Sequence, residues 1–217
     1  MLRLSTLGRA AKLTLLATAL LAASCSKSPT QQVNQVFGDF KKSVEAGRGD
    51  QVEQLVSEQT LQHFDKLRRL ALTGGADMYQ LSIYDEVSIY YLRSQFKRAA
   101  LEKFRGRDII NILAKNKMLG VADLNEFKLT SLQVEDTAAW ANLTHNNLET
   151  PYAINFVEES GDWKVDMDRF QRNRENELVM RMMQYGGDRD QVISELLKSF
   201  GLRDGLTPAL RQPLASS

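Results

Sequence analysis

Cys25 is the only cysteine in the chain, so thiol chemistry is confined to one position. A lone cysteine forms no internal disulfide, and in an exported protein it is reactive, paired with another chain or modified. The residues ahead of it bear on that choice. Residues 1–24 contain Arg3, Arg9 and Lys12 and no acidic side chain. Leu13 to Ala23 is apolar except for Thr14 and Thr18, and the small residues Ala22-Ala23-Ser24 come next. A basic start, a short apolar run and a small-residue cleavage site make an export signal. The run is shorter than the roughly 20 apolar residues of a membrane-spanning helix.

Other groups able to do chemistry are few. Asp166, Asp168 and Tyr152 are of the type that can act as base and oxyanion donor. Strand alternation turns Asp166 toward solvent or the sheet end, and Tyr152 reads as core beside Ile154 and Phe156. His63 and His145 lack the spacing of a zinc pair. Asp188-Arg189-Asp190 opens like a calcium loop, but no glycine or closing glutamate follows, so it reads as a helix cap. The chain has neither a G-x-S-x-G elbow nor a phosphate loop. No catalytic residue, metal ligand or cofactor is expected.

The chain has 217 residues, 28 basic against 27 acidic, and 43% hydrophobic. Without residues 1–24 it is slightly acidic, which gives nucleic acid no field to follow. This length suits one domain with a substantial core. Arg93, Lys97, Arg98, Lys103, Arg105 and Arg107 make one region basic. It reads as a solvated helix face, with contact to anionic headgroups as the other reading.

Positioning falls to helices first and strands second. Ser26 to Gln32 reads as a polar tether, about six residues reaching on the order of 15 Å. Val33, Val36, Phe37, Phe40 and Val44 follow helical spacing. Asp50 is expected to cap a short second helix, and Ser57 a third that carries Leu61, Phe64, Leu67 and Ala71. Met78 to Tyr84 alternates as a strand could. Asp85 is expected to cap a helix with Ile89, Leu92, Phe96 and Phe104 inside, restarted at Asp108 after Gly106. Four hairpin strands follow: from Phe127 with a phase shift at Leu132, Thr137 to Thr144, Pro151 to Val157, and Trp163 to Met167. Two helices close the domain. One spans Asp168 to Tyr185, with Asp168–Arg172 and Glu177–Arg181 pairs and with Met180, Met182 and Met183 packed inward. The other holds Val192 to Phe200. Residues 201–217 read as a loose tail.

Helices followed by antiparallel strands make an α+β domain. Val36-Phe37-Gly38-Asp39-Phe40, the break Glu45-Ala46-Gly47-Arg48-Gly49-Asp50 and the closing Gly161-Asp162-Trp163-Lys164-Val165-Asp166 resemble the NTF2-like (SnoaL-like) superfamily. The resemblance implies a cone of N-terminal helices against a curved sheet, over residues 33–200, with a pocket at its open end. The helices about 85–120 and 168–200 are extra to that pattern. If the cone carries a hydrophobic ligand, Phe40, Phe64, Trp140 and Phe156 are the residues expected to line it. Leu21-Ala22-Ala23-Ser24-Cys25 resembles the lipobox of bacterial lipoproteins, which implies lipidation of Cys25 and membrane attachment. An ordinary signal cut near Ala23, leaving a free thiol, is the other reading. By the same resemblance Ser26 favours the inner leaflet of the outer membrane. The expected function is a non-enzymatic, membrane-anchored envelope module for binding or protein interaction. The alternatives are a lipid or hydrophobic-ligand carrier, since Asp166-Met167, the late helices and Asp204-Gly205-Leu206-Thr207 resemble phospholipid carriers of the MlaC type, and a SnoaL-like isomerase or hydrolase.

Overall fold

A computed structural model describes residues 27–75, 78, 80–119 and 124–215. Cys25, the signal segment, Ser26, Tyr79, the expected helix stop at Gly120 and the last two residues lie outside them.

Helix α1 (Pro29–Glu45) starts earlier than the tether reading expects. Ser28 is its N-cap: the Gln31 amide donates to Ser28 Oγ, and the Ser28 amide donates to Gln31 Oε1 at 3.0 Å. This reciprocal cap, followed by Pro29, satisfies helix-end donors at once. Pro29 to Gln32, expected in the tether, are therefore helical. The inner face of α1 buries Val33, Val36, Phe37, Phe40 and Val44.

Helix α2 (Gly49–Leu55) begins one residue before Asp50, which sits in its first turn instead of capping it. Helix α3 (Glu58–Thr73) is capped by Ser57 as expected, with the Thr60 amide donating to its hydroxyl at 3.1 Å. Met78–Tyr84 holds no described strand. Helix α4 (Ile83–Gln95) starts there, capped by Ser82 rather than Asp85. The expected continuation breaks at Phe96 into the single turn α5 (Arg98–Leu101). Helix α6 (Gly106–Lys115) opens at Gly106 itself. A Cβ on Gly106 would lie 2.0 Å from the Leu61 carbonyl oxygen, so α3 and α6 cross closely only because that residue is glycine.

Strands β1 (Phe127–Glu135), β2 (Ala138–His145), β3 (Leu148–Glu159) and β4 (Asp162–Asp166) form one antiparallel sheet in chain order. Asn146 and Asn147 turn β2 into β3 with φ of 51° and 62°, the mirror-image turn that matches strand twist. The phase shift at Leu132 is a bulge: the β1–β2 register slips between Thr130 and Gln133, with Ser131 at φ 52°. A second slip lies between Asn142 and Thr144 on the β2–β3 side. These bends curve the sheet around α1, and the sheet stays unclosed. The edge of β4 is met by Val56, which bridges Val165 in parallel, and the Ser57 amide donates to the Val165 carbonyl.

Helices α7 (Asp168–Gln184) and α8 (Arg189–Ser199) complete eight α-helices among the described residues. The architecture is α+β and consistent with an NTF2-like cone. Helix α7 packs on β3, and there the structure corrects the inward methionines. Met180 and Met183 are 68% and 71% exposed, and only Met182 touches the core. Arg172 pairs with Asp168 as expected. Glu177 turns instead to Arg174 and Tyr152, leaving the Glu177–Arg181 pair unmade.

The tail is not loose over its described length. Leu202, Leu206, Leu210 and Leu214 pack on the core, and Pro208–Arg211 forms a 3-10 turn. Two residues of the expected basic face hold it. Arg93 is 6% exposed and donates to the carbonyls of Leu70, Ala71, Gly74 and Leu210. Arg98 donates to those of Leu72 and Leu214. The six basic residues thus fall on separate short elements, and one of them lies in the core.

Candidate binding site

The inside of the cone is filled by its own side chains. Phe40, Phe64 and Phe156 are each at most 2% exposed. Phe156 meets Phe37 edge to face, with ring centroids 6.2 Å apart. A crevice between Phe64, Leu67, Ser88, Met118, Leu119 and Phe170 measures about 20 Å³. That is room for about one water. Three of the four expected lining residues therefore serve as core.

A polar cluster closes this end. Arg174 donates to the Tyr84 hydroxyl at 2.9 Å and lies 5.8 Å from the ring centres of both Tyr84 and Tyr152. The Tyr152 hydroxyl donates to Glu177 at 2.6 Å. Burial, then the Glu177 carboxylate, push the Tyr152 phenol up to about 12. A phenol held protonated in this way donates a hydrogen bond and does not act as a base.

The structure separates the residues that catalysis would need together. Tyr152 faces inward with Phe127 and Phe170, whereas Asp166 pairs with Asn155 on the opposite face. Asp166 Oδ1 accepts from the Asp168 amide at 3.0 Å, and Asp168 holds Arg172. His63 meets Asp85 at 2.9 Å and His145 meets Glu126 at 2.6 Å, two separate pairs, one between α3 and α4 and one beside the start of β1. Asp188 caps α8, accepting from the Gln191 amide at 3.0 Å. Among the described residues, no three His, Cys, Asp or Glu side chains converge as a metal site.

Trp140 is the fourth expected lining residue, and it sits on the other side of the sheet. Its neighbours Ala139 and Ala141 point inward and are buried, which turns the indole outward. The register places Gln133, Trp140, Asn155 and Asp166 in one row across all four strands. Gln59 at the start of α3 and Arg169 in α7 flank the row and complete an open groove of about 580 Å³. The volume lies within the roughly 300–1,000 Å³ of small-molecule sites. The side chains of Gln59, Trp140, Asn155 and Arg169 have no hydrogen-bond partner among the described residues. Neighbouring polar groups are engaged: Glu159 accepts from the Glu58 amide, Ser57 pairs with Thr60, and Lys164 donates to the Gln54 carbonyl. This row was within reach of sequence reasoning, since alternation around Trp140 assigns it a face once the two flanking alanines are given to the core.

Among the described residues no helix is long and apolar enough to cross a membrane. The chain matches no protein-family model, no curated protein and no solved structure.

Proposed function

We propose that the chain is an exported, lipid-anchored envelope module that binds a partner on the outer face of its sheet and carries out no reaction of its own. The observation that carries this reading is the filled cone: Phe40, Phe64 and Phe156 occupy the space an internal ligand would need, while the row at Trp140 stands open. A carrier of lipid would need a cavity far larger than about 20 Å³ beside Phe64. Attachment is supported by the export signal and by Leu21-Ala22-Ala23-Ser24-Cys25. The cap of α1 at Ser28 stands three residues after Cys25, and by the resemblance to lipoproteins Ser26 favours the outer membrane.

Two measurements test the two halves. Radiolabelled palmitate is expected in the chain and not in Cys25→Ser, which should leave the membrane fraction; label retained by that variant overturns the anchor. A photo-reactive amino acid at position 140 is expected to yield a discrete adduct in intact cells, whereas one at position 180 yields none. Equal adducts from both positions would place the binding surface elsewhere.

A further inference from the structure

We infer that the groove around Trp140 binds an oligosaccharide of pyranose units. The inference rests on the outer-face reading and names its ligand.

Each free group in the groove suits a sugar. An indole supplies a broad apolar surface for the C–H face of a pyranose ring, and its N–H is a donor that needs a partner when covered. Planar amides present a donor and an acceptor side by side, which matches two adjacent hydroxyls, and a guanidinium presents paired donors in a fixed fork. Gln59, Asn155 and Arg169 place these groups around Trp140 with no hydrogen-bond partner among the described residues. Asp166 spends one oxygen on the Asp168 amide and keeps its other oxygen as an acceptor at the row's end.

Other ligand classes fit less well. A protein partner usually covers about 800 Å² per side around an apolar, aromatic centre, but this row offers one aromatic residue among amides. The slightly acidic body gives a nucleic acid no field. A lipid tail would find an apolar floor of Ala138, Trp140 and Val157 but would have to cover Gln59, Asn155, Asp166 and Arg169 around it. Saccharide recognition uses an aromatic platform and planar hydrogen-bonding groups together, and the groove brings that combination together from β2, β3, α3 and α7.

Tryptophan fluorescence gives a direct test on the full chain. Trp163, the only other tryptophan, is 5% exposed, so a ligand-induced change reports on Trp140. The probes are chitotetraose, cellotetraose and maltotetraose. At least one is expected to give a saturable change. Isothermal titration of the same sugar against Trp140→Ala should show no binding, and against Asn155→Ala about a tenfold loss, the size of one hydrogen bond. Circular dichroism should show both variants folded. Absence of saturable binding by all three sugars at millimolar concentration overturns the inference, as does undiminished binding by folded Trp140→Ala. If the sugars fail while the position-140 adduct persists, the outer-face reading stands and the saccharide falls. If both fail, both fall.

Discussion

The two faces of one sheet differ more than the sheet differs from its helices. Row for row, Val134, Ala139, Phe156 and Val165 point inward against α1, while Gln133, Trp140, Asn155 and Asp166 point outward one residue away. The inner row has its needs met by contact, and much of the outer row does not. The difference teaches that the interior residues answer to stability and the open polar groups do not, so mutations should separate the two.

The largest effect is expected from Phe156→Ala. Removing a fully buried ring that packs on Phe37 should cost about 3–5 kcal/mol. Urea denaturation would show it as a shift in midpoint. A cost below about 1 kcal/mol would mean the face is not packed as described.

The same contrast holds for two arginines. Arg93 satisfies four backbone carbonyls, one of them on the tail, whereas Arg169 has no partner among the described residues. Arg93→Met should cost on the order of 3 kcal/mol, since it strands buried acceptors. It should also speed proteolysis within 202–214. Unchanged cleavage there would show that the leucines alone hold the tail.

Glu86 sharpens the comparison through pH. It is 4% exposed, and burial raises its carboxyl above the ordinary range despite Arg189 at 3.1 Å. A folded value above the unfolded one means the native state binds the extra proton. This contribution is therefore complete below the ordinary glutamate range and is lost as pH rises through the folded value. Glu86→Gln should flatten the decline in stability above about pH 4.5, read from urea midpoints across pH. A steeper decline would contradict the burial argument.

The smallest stability effects belong to the outer row. Arg169→Ala and Asn155→Ala should stay within about 0.5 kcal/mol of the parent. A large destabilisation by either would turn the groove into part of the scaffold and erase the difference between the faces.

How far the sequence foretold this depends on whether a signal was local. Helical faces and the strand phase shift were legible because they repeat at short range: Val33 to Val44 and the slip at Leu132 both stand where periodicity puts them. The helix start at Ser28 was also legible, because Ser28-Pro29-Thr30-Gln31 has capping-box spacing, but its polar composition resembles a linker. Arg93 was not legible. It belongs to a run of charges, and its burial depends on carbonyls at the end of α3, some twenty residues earlier, and at Leu210 on the tail. The tail is similar: Leu202, Leu206, Leu210 and Leu214 are spaced through glycines and prolines without a regular period, and they pack on a core that only the fold assembles. The expected lining failed for a geometric reason. Alternation sorts Trp140 and Phe156 onto opposite faces, whereas a list of aromatics treats them alike.

The bulge in β1 has a consequence for how many copies can crowd together. β1 is an outer strand of the sheet, and its ladder is interrupted at Ser131 with Lys128 exposed nearby, while β4 is covered by Val56 and Ser57. Edge-to-edge growth between copies needs an unbroken row of backbone donors and acceptors. On the proposed anchored chain, gathered at high local density, a kinked border on one side and one bridged by Val56 on the other work against such growth.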